Sequence, residues 1–517
     1  MLNKQSQTLL DNFQASAQLK NPSDQGVTVS RTVSAAAVLY EAARNAVEFR
    51  AEHLIRRAAI ERILRRRLII KSTGSGIAEA LIKELLWARY LENGHIPILK
   101  IDEIQETIDK YIALKTEVCK LTKNSDYANW LTGIASCEIE KKLAPAPNRE
   151  ALINFVYQSL KNEITLENER DQKSKNIQVY IAVHRAYAQS DEPVIRFQLF
   201  QSKYPDWIDQ GPEEAVKIAK DFEKTYQEIE KELNHPAKDR LKRFIKRECA
   251  PFLVIRDLVE EDPVNFPVIL TDPDLLQKKA EALLSKRYLE TQTKLRRAAT
   301  RSIIYIFLTK MVLAILIEVP FDLLVRKTNL LAITINTIFP PALMFVATAN
   351  IGLPDNQNTQ RVIDRIKNYL YEEIPTNHNI QIKVSKPSST AFTIVYSLTF
   401  ILIFGLIIAF LNRLGFSIVS KGIFLFFLCV VSFFSYRVRL DTKDYVIMEK
   451  ESALTPIGDF IFLPILRVGQ WLSGELSQIN FLIFIFDFII EAPFKAFFNV
   501  AEEWIHFVRI KKEEIIV

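Results

Sequence analysis

The chain has 517 residues, 67 of them basic and 61 acidic, so its net charge is +6, an excess too small to make nucleic acid an expected partner. Hydrophobic residues make up 49% and charged residues 25%, but that average joins a charged first half to a second half with long apolar runs. The four cysteines, Cys119, Cys137, Cys249 and Cys429, have no CxxC or Cys/His spacing, which argues against a zinc site or a disulfide framework and suits a reducing cytoplasm.

Residues 1–31 are polar and rich in Gln, Asn and Ser, with no apolar stretch behind basic residues. They are expected to form a disordered cytoplasmic tail. From Ser34 to Ile70 apolar residues recur at steps of three and four, the period of a helix. Its end is basic: Arg56, Arg57, Arg62, Arg65, Arg66, Arg67 and Lys71 face only Glu61. These seven residues are candidates for binding anionic lipid headgroups or a partner, the competing reading being a solvated helix face. Lys71 to Glu79, KSTGSGIAE, lacks the Gly-Lys-Ser/Thr of a phosphate-cradling loop and reads as a hinge.

Helices are expected over 77–91, 102–123, from Asn124-Ser125 onward, and over 150–162, 177–189 and 193–202. Thr165 to Asn176 reads as a loop. Pro212 and Pro236 suit the first turns of two further helices, to about Leu233 and Glu260. No strand of useful length, metal-ligand spacing or catalytic constellation appears, so an enzyme is the least supported class and no cofactor is called for.

At Thr271-Asp272-Pro273-Asp274 a capped helix begins, with Asp272 as cap and Pro273 at the first position. It forms a stalk over 273–301 that reaches the bilayer through a basic collar including Arg296 and Arg297. Apolar runs at 302–325, 329–353, 391–411 and 414–436 then read as four membrane spans in two hairpins. Thirteen basic residues on the side of the N-terminus and longer loops, against four on the other, place both termini and the 354–389 loop in the cytoplasm of a plasma or inner membrane. That loop should hold a helix over 359–371 and a short strand, 379–384, pairing with 444–448.

Ile315 to Val325, ILIEVPFDLLV, carries Glu318, Pro320 and Asp322 inside the first span, and IIEAPFKAFF repeats its Ile-Glu-x-Pro-Phe core as Glu491, Pro493 and Phe494, with Lys495 standing where the first copy has Asp322. Pro320, Pro340, Pro341 and Pro493 are expected helix breaks. Lys310 lies roughly 12 Å into the span and Glu318 roughly 24 Å. Eight residues apart on one helix, the two are not expected to pair. Lys310 is instead expected to meet Asp487 or Glu491, which open a polar stripe on an otherwise apolar C-terminal helix. That helix and the one over 460–476 are expected to lie at the membrane interface.

The expected fold is all-α. It comprises a cytoplasmic helical domain over 32–272, the stalk, hairpins over 302–353 and 390–436, and a cytoplasmic ribbon with amphipathic helices over 437–517. Two functions fit: a membrane-anchored scaffold whose cytoplasmic domain binds a protein partner, on a bilayer with anionic headgroups, or an ion or solute channel or transporter using the charged Glu-x-Pro-Phe segments. Nothing in the sequence speaks to oligomeric state.

Overall fold

The computed structural model describes residues 1–17, 26–30, 34, 37–38, 41, 52–70, 74–122, 126–166, 171–324, 330–349, 354–372, 380–382, 390–441, 444–447, 455–477 and 504. Among them the chain is all-α apart from one two-stranded sheet. It divides into two compact units, one of residues 4–243 with 377–383 and 480–517, the other of residues 1–3, 244–376 and 384–479.

The first unit opens with helix α1, Lys4–Ala17, within the stretch expected to be disordered. Leu9, Leu10 and Phe13 fall on one helical face and are buried, and α1 packs on α6, Pro147–Leu160. Three apolar anchors at helical spacing outweigh the polar composition around them. Helices α2 (Glu52–Ile70), α3 (Ile77–Trp87), α4 (Leu99–Leu121) and α5 (Asp126–Leu143) follow. The turn into α3 holds Gly74 at φ 77° and Gly76 at φ 70°, left-handed positions that suit glycine. Helix α5 is central: Trp130, Leu131, Ile134 and Ile139 are buried, and α2 and α4 pack on it.

Strand β1, Ile164–Leu166, stands at the start of the expected loop. Helices α7 (Gln172–Ala186) and α8 (Glu192–Lys203) lead to a 3-10 turn, Pro205–Asp209. The helix expected from Pro212 is divided into α9, Pro212–Ile218, and α10, Phe222–Leu233. The division seats both Ala219 and Phe222 in the core, where Phe222 meets Trp130 edge-on at 5.4 Å between ring centroids. Lys110 and Glu138 form a buried pair at 2.7 Å. The other Glu138 oxygen accepts from Trp207 Nε1 at 2.8 Å and Tyr111 Oη at 2.9 Å, so this internal charge is fully used.

In the second unit, the end of α11 (Lys238–Glu261) and helix α12 (Phe266–Thr271) pack with α13, Pro273–Leu313, and α16, Asn356–Tyr371. The Phe252 and Tyr369 rings lie 4.7 Å apart. Asp257, wholly buried, accepts from Arg287 Nε at 2.8 Å and Tyr445 Oη at 2.6 Å. These contacts join the stretch before the stalk to the second unit, which begins after Arg243, upstream of the boundary at 272 that the sequence suggests. Asp272 caps α13 as its sequence indicates, accepting from the N–H groups of Asp274 and Leu275 at 3.0 and 3.1 Å.

Strand β2, Ile380–Ile382, pairs in parallel with β1, with Ile164 opposite Ile380, and among the described residues not with 444–447. Tyr445 and Ile447 instead give their main-chain O and N–H to the Asn358 side chain at 2.9 Å each. That contact uses the backbone groups a ribbon would need.

Among the described residues four helices are long and apolar enough to cross a membrane: α13 with its continuation to Phe321, α15 (Leu330–Ala349), α17 (Thr390–Arg413) and α18 (Ile418–Asp441). Many of their large apolar side chains face outward: Ile315, Leu316, Phe345, Ile401, Leu402 and Phe410 are each at least 60% exposed. A soluble protein could not leave such a belt in water, which makes this a membrane protein. Helix α19, Thr455–Ser477, expected at the interface, packs along α18 and also meets α17. Gly469 makes the close approach possible: a Cβ there would stand 2.1 Å from the Cys429 carbonyl oxygen. Arg467 and Gln470 of its polar stripe are exposed.

Candidate functional site

Between α13 and α14 (Val319–Leu324), residues Ala314–Glu318 form a π-helical turn, in which the Val319 N–H bonds Ala314 O five residues back. Pro320 follows after Val319 and does not end the helix, because the widened turn relieves the clash between its ring and the preceding turn. The turn also changes which residues share a face. An α-turn of about 3.6 residues plus a turn holding roughly one more brings positions eight apart close to two whole turns. Lys310 and Glu318 therefore stack on one side, and side chains tilted toward the helix N-terminus bring the carboxylate down to the ammonium.

The pair that ideal α-geometry disfavours is thus present: Lys310 Nζ and Glu318 Oε2 are 3.2 Å apart, and both side chains are 0% exposed. Asn336 on α15 donates from Nδ2 to Glu318 Oε1 and, at 3.2 Å, to the main-chain oxygen of Ser420 on α18. Lys310 Nζ lies 5.4 Å from the centre of the Phe427 ring. Ile306, Met344 and Val431 form the buried apolar cluster that Phe427 shares. In such surroundings a lone charge is very costly, and the mutual neutralisation of Lys310 and Glu318 is what permits either to be there. The carboxylate ties its own helix to α15, and the Asn336 amide carries the connection on to α18.

Asn336 and Ser420 carry no charge and do not stand out in the sequence. An Asn inside an apolar run, four residues before a proline pair, is the signal that marks the first of them. Pro340 and Pro341 lie inside α15, which continues through them. Lacking N–H groups, they leave the carbonyls of Asn336 and Thr337 without their α-helical donors, which loosens the hydrogen-bond ladder beside the cluster rather than breaking the helix. Asp487 and Glu491, the expected partners of Lys310, lie outside the described residues together with Pro493, Lys495 and the Asp322 side chain. The partner that the structure gives Lys310 is Glu318.

The basic cluster of α2 is not an open patch. Arg57, 1% exposed, binds Glu61 at 2.6 Å and Asp191 at 2.5 Å. Arg56 meets Glu140 at 3.1 Å and Arg62 meets Glu41 at 2.8 Å. Arg66 and Arg67 share Glu84 at 2.6 and 2.5 Å, and Arg65, half exposed, reaches Glu61 at 2.9 Å. Apart from Glu61, these acidic partners come from outside α2 and so do not appear in the local pattern. Lys71 lies outside the described residues, and Arg296 and Arg297 are exposed on α13. Among the described residues no group of three or more His, Cys, Asp or Glu side chains is placed to hold a metal. No family model, curated protein or solved structure matches this chain.

Proposed function

We propose that this protein is a membrane-anchored scaffold: a multi-pass chain, held by four spans in the plasma or inner membrane, that presents its helical N-terminal half to a protein partner in the cytoplasm. The observation that favours an anchor over a conduction path is the closed state of the intramembrane charges. A carboxylate that receives a passing ion must be reachable from water, whereas Glu318 is buried against Lys310 and Asn336, and Asn336 in turn bonds Ser420 of a third helix. In this reading the thirteen-to-four basic asymmetry faces the N-terminal half to the cytoplasm, and exposed Arg296 and Arg297 meet anionic headgroups.

The test is flux in liposomes holding the purified protein, with proton, sodium and potassium gradients, beside crosslinking of the N-terminal half in intact cells. The anchor reading expects leakage equal to that of empty vesicles and one recurrent crosslinked protein. Flux that Glu318→Gln abolishes would overturn it in favour of transport. One observation favours that second reading: Asn336 Oδ1, buried beside the carboxylate, has no hydrogen-bond partner among the described residues. The Asn336 Nδ2, not this oxygen, now faces the Glu318 carboxylate and the Ser420 carbonyl, so a small cation could use these oxygens only if Lys310 withdrew and the amide turned over.

A further inference from the structure

Gly469 of α19 lies against the middle of α18. A Cβ at that position would stand 2.1 Å from the Cys429 carbonyl oxygen and 2.7 Å from Phe433 Cβ, so the two helices meet there at backbone distance. Cys429 is one residue past the centre of the apolar span Ile418–Val438, whose 21 residues cover about 31 Å, the thickness of a hydrocarbon core. With α18 across the bilayer, Gly469 stands within about 5 Å of the midplane, and Arg467, two residues away, within about 8 Å. Both depths lie well inside the roughly 15 Å half-thickness of the core, deeper than the interfacial placement that the sequence suggests for this helix.

The two sides of α19 differ. Pro464, Ile465 and Gly469 are buried, and Ile465, with half-buried Val468 and Leu472, joins the apolar cluster of Phe424, Leu428 and Cys429 on α18. On the opposite side, at helical spacing, stand Leu463, Arg467, Gln470 and Trp471, all exposed, Trp471 by 62%. Arg467 Nη1 donates to Gln470 Oε1 at 3.3 Å, a neutral group on its own helix, and among the described residues no carboxylate pairs with it. A guanidinium turned toward lipid at this depth is very costly, and the cost falls when a carboxylate of another helix meets it.

We propose that the face formed by Leu463, Arg467, Gln470 and Trp471 docks a transmembrane helix of a partner protein that carries an Asp or Glu near its midpoint. The carboxylate meets Arg467, and its apolar neighbours meet Leu463 and Trp471. Arg and Trp are residues that commonly anchor interfaces, and the planar guanidinium suits a bidentate carboxylate. A second copy of this chain does not supply the anion: residues 332–349, 393–413 and 418–438 contain no acidic residue, and Glu318 is buried. Lipid phosphates lie about 7 Å or more farther out than the Arg467 backbone, and the side chain turns along the helix to Gln470. Such a partner is separate from the one assigned to the N-terminal half, and its contact requires only that α18 cross the bilayer.

The test is fluorescence anisotropy of a labelled synthetic span titrated with the full chain in phosphatidylcholine bicelles. The probe is a helix of about 20 leucines with Glu at its centre, beside the same helix with Leu or Lys there. The expected result is saturable association of the Glu helix, about tenfold tighter than the Leu helix, weakest for the Lys helix, and reduced to the Leu level in Arg467→Leu. Should that variant fail to fold, the order Glu, Leu, Lys on the unaltered chain decides. In a Cys119→Ser background, Arg467→Cys should react slowly with a membrane-impermeant thiosulfonate. Equal association of the Glu and Leu helices, or association unchanged in Arg467→Leu, overturns the proposal. So does loss of the Glu preference when phosphatidylglycerol is added, which would give Arg467 to a lipid phosphate, or fast thiosulfonate reaction, which would mark a water-filled path.

Discussion

Replacing Lys310 by Met leaves Glu318 as a charge in apolar surroundings, and replacing Glu318 by Gln leaves the ammonium in the same position. At the observed 3.2 Å separation, an effective dielectric of about 20 gives a Coulomb attraction of about 5 kcal/mol. Desolvation of both groups cancels much of it, so the pair adds little net stability even though each member depends on the other. Each single substitution should therefore cost about 3–5 kcal/mol, and the double substitution much less than their sum, with a coupling of at least about 2 kcal/mol. The assay is a double-mutant cycle on equilibrium unfolding in mixed micelles. Asn336→Leu serves as a third arm and should cost more with Glu318 present than in the Glu318→Gln background. Strictly additive single effects would refute the reasoning, because they would mean that the two charges do not interact.

Asp257→Asn should destabilise the second unit by about 2–4 kcal/mol, since one buried carboxylate serves Arg256, Arg287 and Tyr445; denaturant unfolding of the purified chain measures it, and a cost below about 1 kcal/mol would refute it. Burial, with Arg149 nearby, lowers the His184 pKa to about 4 from the ordinary 6.5. The unfolded chain then binds the proton more readily, so this group's contribution is complete above pH 6.5 and is lost as pH falls toward 4. It amounts to roughly 3 kcal/mol, and His184→Gln should flatten stability against pH across that window. Of the four cysteines, Cys119 is exposed while Cys137, Cys249 and Cys429 are buried. A maleimide should label the native protein at Cys119 alone, and burial, which pushes the Cys249 thiol up to about 12, should keep it unreactive until unfolding.

What the sequence alone determines here is what depends on neighbours along the chain. The four apolar runs, the Asp272-Pro273 helix start and the glycine turn before α3 are all local, because length, periodicity and capping chemistry act within a few residues. The tertiary structure decides what depends on distant partners. The arginines of α2 read as a surface patch until Glu41, Glu84, Glu140 and Asp191 arrive from elsewhere in the chain. Strand β2 pairs with a strand far earlier in the chain, Ile380 opposite Ile164, and its short alternating pattern cannot choose between that partner and a nearer segment. The Lys310–Glu318 pair shows the limit most sharply. Both residues and the adjacent proline are legible, but the spacing on an ideal helix sets the charges apart. Only the π turn, which costs backbone regularity and is held in place by Asn336 and Ser420 from two other helices, brings the two charges onto one face.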